Sequence, residues 1–196
     1  MMAVRAGVMA MVMPVTLLGG GAMASARPQP EPLSRGPEPV LALGRFAGYG
    51  PGQTAVTYDP KLVPSGAAAA VAYVPSADGH ASVQLRAQGL LPNRRYGAHV
   101  HTNACGSKGE DAGPHFQHVQ DPKTPSTDPK FANPRNEIWL DFTTDGQGNG
   151  FSRAALERRF TDRRPHSVIV HADHTHTDPG HAGQAGARLA CINVDF

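Results

Sequence analysis

The chain has 196 residues, with 18 basic and 16 acidic side chains, ten histidines, 22 glycines, 18 prolines and two cysteines. A formal net charge of +2 lacks the basic excess of a polyanion-binding surface, so nucleic acid is not an expected partner. The apolar runs are too short and too broken by glycine to read as membrane spans.

Residues 1–26 carry one charge, Arg5, then an apolar run through Val8, Val12, Val15 and Leu17–Leu18, and end on Ala24-Ser25-Ala26. A positive start, a short apolar stretch and a small-x-small exit predict a secretory signal peptide cleaved near Ala26. Neither cysteine lies near that point, so a freely secreted protein without a lipid or membrane anchor is expected. Residues 27–50 read as a proline-rich extended linker, because Pro28, Pro30, Pro32, Pro37 and Pro39 crowd its first half. Residues 51–196 are then one domain, long enough to bury a core. Its cysteines, Cys105 and Cys191, form an even pair, which in an exported protein reads as a disulfide.

That domain reads as eight strands. They are Thr54–Tyr58, Ala67–Val74, Ala81–Ala87, Tyr96–Thr102, Glu137–Thr144, a weaker Gly150–Leu156, Ser167–Ala172 and Arg188–Asp195. Period-two alternation is clearest in Ala81-Ser82-Val83-Gln84-Leu85-Arg86-Ala87. Gly, Pro and Asn/Asp clusters such as Pro75–Gly79 and Asp145–Gly150 separate them. Residues 153–160 could alternatively form a short helix. Many short strands with such turns predict an all-β fold, a Greek-key sandwich or flattened barrel. Residues 103–136 form a loop of over thirty residues, a length that in a compact domain points to function or disorder.

The histidines carry the chemistry. His99 and His101 stand at i and i+2 of a strand, so both rings leave one face while Tyr96, Ala98 and Val100 point the other way. Two imidazoles on a rigid strand suit copper, zinc, iron or nickel. Cys105 follows closely, then Gly113-Pro114-His115-Phe116, a strand ending in His171, and Gly186-Ala187-Arg188-Leu189-Ala190-Cys191. With Gly89-Leu90-Leu91-Pro92, these segments resemble the copper/zinc superoxide dismutase family from about Gln53 to the end. Ala98 and Gln184 depart slightly from the family pattern.

The resemblance implies a Greek-key β-sandwich, copper as cofactor and superoxide as substrate. It places the copper ligands at His99, His101, His115 and His171, and an anion-receiving arginine at Arg188. It pairs Cys105 with Cys191. It also implies that His115 sits where the family bridges copper to zinc. The family's zinc ligands are incomplete here: only His118 follows the bridge, with Asp121, Asp128 and Asp141 as loose carboxylates, so the zinc site reads as absent or degenerate. The chain is more similar to copper-only members. In those, a glutamate holds the otherwise bridging histidine, and Glu137 stands where it would do so. His174, His176 and His181 lie in a short loop after His171 and read as exposed loop histidines or an accessory metal site. The expected activity is a secreted copper-dependent superoxide dismutase in which Arg188, His115 and Glu137 assist the chemistry. The rival is a non-catalytic copper-binding protein on the same fold.

Overall fold

The computed structural model describes residues 38–196, so the predicted leader at 1–26 and the first part of the linker lie outside the described residues. The alternation read in the sequence becomes nine strands. They are β1 (Val40–Ala47), β2 (Ala55–Thr57), β3 (Ala68–Pro75), β4 (Ala81–Gln88), β5 (Arg95–His101), β6 (Phe142–Thr143), β7 (Gly150–Leu156), β8 (Ser167–His171) and β9 (Arg188–Asn193). One 3₁₀ turn, Gly109–Ala112, is the only helical element among the described residues. The sheet runs β6-β5-β8-β9-β2-β1-β3-β4-β7, and β6 and β7 touch, which nearly closes it into a barrel. Around that closure the order β4-β7-β6-β5 is a Greek key, with the connection after Gly89 crossing the barrel end.

Three expectations are corrected by the fold. The linker assigned to 27–50 contains β1, which pairs antiparallel with β3 and parallel with β2. Val40, Ala42 and Phe46 turn inward while Leu41 and Leu43 face solvent, so the segment is a true strand despite the prolines before it. The alternative helix at 153–160 does not form, because Gly150–Leu156 pairs along its length with β4. The strand expected over Glu137–Thr144 is regular only at Phe142–Thr143. Upstream, single bridges hold it: His99 to Trp139 and Gln117 to Glu137.

The core is made of the inward faces: Phe46, Val71, Val83, Leu85, Tyr96, Val100, Leu140, Val168 and Ile192, among others. Tyr96 is fully buried and its hydroxyl donates to the Leu62 carbonyl at 2.7 Å, which removes the cost of burying a phenol. Tyr73, Phe116, Phe160 and Phe196 add an aromatic cluster with centroids 5.1–6.0 Å apart. The second face of β5 is buried as well, since Arg95 is its one exposed residue. Backbone bonds from Phe116 to Val100 (2.8 Å) and from Leu140 to Ala98 (2.7 Å) lay the long loop over that face. The long loop is itself pinned by Asn136, whose amide accepts from the Val119 N–H and donates to the Val119 and Phe131 carbonyls at 2.7–2.8 Å.

Candidate metal centre

β5 directs His99 and His101 to one face, as the i, i+2 spacing requires. Across the β5–β8 ladder Gly97 pairs with His171, so the His171 ring joins the same face. His115 is brought alongside by a bridge between His101 and His115. One nitrogen from each of the four rings lies within 4.8 Å of the others. His99 and His101 are fully buried, His171 is nearly so, and His115 retains 17% side-chain exposure. Among the described residues, this is the only convergence of three or more histidine, cysteine or acidic donors.

Hydrogen bonds set which nitrogen of each ring is free, because a carbonyl or carboxylate can only accept a proton. His101 Nδ1 donates to the Gly113 carbonyl at 2.9 Å, His171 Nδ1 to the Gly186 carbonyl at 3.4 Å, and His115 Nδ1 to Glu137 Oε2 at 2.8 Å. All three therefore turn an unprotonated Nε2 inward. His101 Nε2 and His171 Nε2 face each other at 3.4 Å. His99 Nδ1 is buried with no hydrogen-bond partner at all. Imidazole nitrogens crowded together, one of them buried without a partner, would gain most from a shared cation. The residues fit a metal of the copper or zinc type.

Burial above all, and then repulsion from neighbouring His115, pushes the His171 ring down to about 3. The same causes hold His99 and His101 well below the usual imidazole value. These rings are neutral throughout the ordinary pH range, so a metal need displace no proton from them.

Glu137 is almost fully buried and its carboxylate accepts three donors: His115 Nδ1, Trp139 Nε1 and Gln117 Nε2, the last two at 2.7 Å. Gly183, at φ +82°, closes over this pair; a Cβ there would stand 3.1 Å from Ala132 Cβ and 3.7 Å from His115 Nδ1.

Arg188 reaches the site through an irregularity in the sheet. Between Val170 and His171 the β8–β9 register shifts, so that Val170 pairs with Ala190 but His171 pairs with Arg188. Leu189 is thereby turned into the core and Arg188 onto the histidine side, as a β-bulge does. Its guanidinium donates to the Gly109 carbonyl at 2.8 Å. Gly109 must be small, since a Cβ there would come 2.6 Å from Arg188 Cβ. Partial burial lowers the guanidinium somewhat from its usual value, but an arginine stays charged. Arg188, Lys123 and Arg163 line an open cleft of about 350 Å³ whose floor includes His115 and His171. Cys105 and Cys191 are bonded, which ties the loop after β5 to the strand carrying Arg188.

The other singled-out residues lie elsewhere. His118 stacks on Phe160 with its centroid 5.9 Å away, and burial pushes its ring down. Asp121 accepts from Ser126 and from the Lys123 amide, and Asp128 from the Lys130 amide. No second donor set assembles around them among the described residues. His174 contacts the Phe142 carbonyl at 3.2 Å, and His176 and His181 are exposed, their rings 6.3 Å apart. Gly109 and Thr175 carry no sequence signal, because their roles arise from loop geometry: Gly109 accepts from Arg188, and Thr175 meets His99.

A family model described as copper/zinc superoxide dismutase matches residues 68–194. The chain belongs to that family. Among solved structures, the chain is similar to the clock protein EA4 at 17% identity and a TM-score of 0.50, covering 80% of this chain and 92% of that one. It is also similar to a double mutant of a SOD-like protein from Bacillus subtilis, at 17% identity and a TM-score of 0.49, covering 63% and 86%. The EA4 likeness speaks to the fold alone. A comparison with curated proteins finds no match.

Proposed function

We propose that this protein is a secreted, copper-dependent superoxide dismutase that works without zinc. The observation that carries the reading is the inward set of four unprotonated nitrogens, one of them orphaned, beside a cleft lined by the Arg188 cation. His99 Nδ1 and the Nε2 atoms of His101, His115 and His171 would hold the copper. When bound, copper supplies the one-electron exchange by which two superoxide anions and two protons become O₂ and H₂O₂.

The residues account for the rest. Arg188, with Lys123 and Arg163 on the cleft wall, attracts a small anion and orients it toward His115 and His171. His115 is the most open of the four rings, and its Nε2 is the atom placed to accept and return a proton. Glu137 keeps the other proton on Nδ1, so the ring stays oriented through the cycle. This carboxylate takes the place on His115 that a second metal would need, which supports the zinc-free reading.

The Cys105–Cys191 bond and the leader-like segment 1–26 support export to an oxidising compartment. The test is direct observation of superoxide decay by the copper-loaded protein beside His171→Ala. Wild-type protein is expected to accelerate decay many-fold more than His171→Ala does. Equal rates would leave only the copper-binding alternative.

A further inference from the structure

The outer face of β1, β3, β4 and β7 lacks the polar outward pattern of a solvated sheet. Cross-strand pairing sets two rows across it. Leu43, Ala70, Arg86 and Phe151 make one, and Leu41, Ala72, Gln84 and Arg153 the next. Leu41 and Leu43 are 65% and 64% exposed, and Phe151 is 50% exposed. With Val74 they are four of the six large apolar side chains exposed among the described residues, so the exposure is concentrated on this face. A shallow trough of about 470 Å³ runs over Ala68 and Ala70, with Leu43 and Arg45 on one wall and Arg86 and Gln88 on the other.

Charge on this face has one sign. The outward positions of the four strands carry Arg45, Arg86 and Arg153 and no aspartate or glutamate. None of the three guanidiniums has a carboxylate partner among the described residues. Arg45 donates to the Gly66 carbonyl at 3.0 Å, and Arg86 lies over the Phe151 ring at 4.7 Å. A second copy of the chain fits poorly here, because a two-fold contact would bury arginines beside arginines without partners. A soluble polyanion would use the arginines but leave the leucines and Phe151 in water. An anionic lipid surface uses both: guanidiniums meet headgroups, while leucine and phenylalanine enter the boundary with the acyl chains. Access to the histidine cleft is kept, since β3 stands four places from β8 in the sheet order.

We propose that the outer face of β1, β3, β4 and β7 docks reversibly on anionic lipid bilayers. Leu41, Leu43 and Phe151 enter the interface, and Arg45, Arg86 and Arg153 hold the headgroups. The contact is peripheral and needs no metal, so it stands or falls separately from the proposed function.

Co-sedimentation of the full chain with vesicles tests it. Binding to equal parts of phosphatidylglycerol and phosphatidylcholine should exceed binding to phosphatidylcholine alone by about 10-fold, and should weaken as salt is raised. Arg86→Gln with Arg153→Gln should lower affinity for the anionic vesicles by about 10- to 30-fold. Leu41→Ser with Leu43→Ser, at exposed positions, should lower it by about 10-fold. Residues 1–37 are shared by every variant, so their own contribution cancels in the comparison. Absence of vesicle binding, or equal binding by wild type and both double variants, would overturn the proposal. So would arginine dependence without leucine dependence, the signature of a polyanion site. A vesicle-independent dimer that the leucine variant dissolves would overturn it in favour of a second copy. Should a double variant not fold, Leu43→Ser and Arg153→Gln decide singly in its place.

Discussion

At the scale of single residues, Arg188 and Glu137 both border the four-histidine centre, but the proposed function gives them different roles, so their loss should be distinguishable. In the proposed function, Arg188 acts through charge on an incoming anion. Arg188→Gln is expected to keep its copper yet to lower the rate constant for superoxide by about 10- to 1,000-fold, with a flattened dependence on ionic strength. Stopped-flow decay at two salt concentrations checks this, and an unchanged salt response would contradict it. Glu137 acts through His115 Nδ1, with Gln117 and Trp139 holding the carboxylate in place. Glu137→Ala should weaken copper binding or slow proton transfer by about 10–100-fold with little change in salt response. Wild-type copper retention and turnover in Glu137→Ala would remove the role assigned to Glu137. The His-x-His pair was legible because strand periodicity alone puts both rings on one face. Thr175 was not legible, since nothing in Asp173-His174-Thr175-His176 marks a hydroxyl that will meet His99.

At the scale of elements, alternation and turn residues made eight strands readable; seven are present with small shifts of boundary, and the one expected over Glu137–Thr144 is reduced to Phe142–Thr143. β1 was missed because five prolines before it dominated the composition, although Val40-Leu41-Ala42-Leu43-Gly44-Arg45-Phe46 alternates correctly once its neighbours are known. Its membership in the folded unit has a measurable consequence. Phe46 is buried in the main core, so Phe46→Ala should cost about 3–5 kcal/mol in a urea titration. A change near zero would mean that β1 is an ornament on the sheet. The β8–β9 bulge was equally invisible in sequence. A residue skip is a property of two strands in register, and only the ladder shows that Arg188 rather than Leu189 pairs with His171.

At the scale of the whole molecule, covalent and protonic terms set stability. The Cys105–Cys191 bond closes 86 residues of chain, a loop worth about 4.5 kcal/mol at most by chain entropy. Cys191→Ser should lower unfolding stability by several kcal/mol, and native wild-type protein should resist thiol alkylation. A second whole-molecule term comes from the buried rings. Folding holds His171 at about 3 against 6.5 for the ordinary imidazole, with His99 and His101 shifted the same way. The unfolded chain therefore binds these protons first. Stability is at its full value above pH 6.5 and falls as the pH drops through the window between 6.5 and about 3. Each ring contributes a slope of up to about 1.4 kcal/mol per pH unit there. Metal-free protein should show a urea midpoint that declines steadily from about pH 7 to about pH 5. A flat midpoint over that range would contradict the neutral cluster.

The central claim is that four histidines on this barrel make a copper centre that dismutes superoxide without a second metal. Its most direct test is superoxide decay during titration of the metal-free protein with copper, zinc being held away by a selective chelator. Activity is expected to rise linearly to a plateau at about one copper per chain and to stay there when one equivalent of zinc is added. Activity that appears only with stoichiometric zinc, or that never exceeds a control of free copper, would contradict the account.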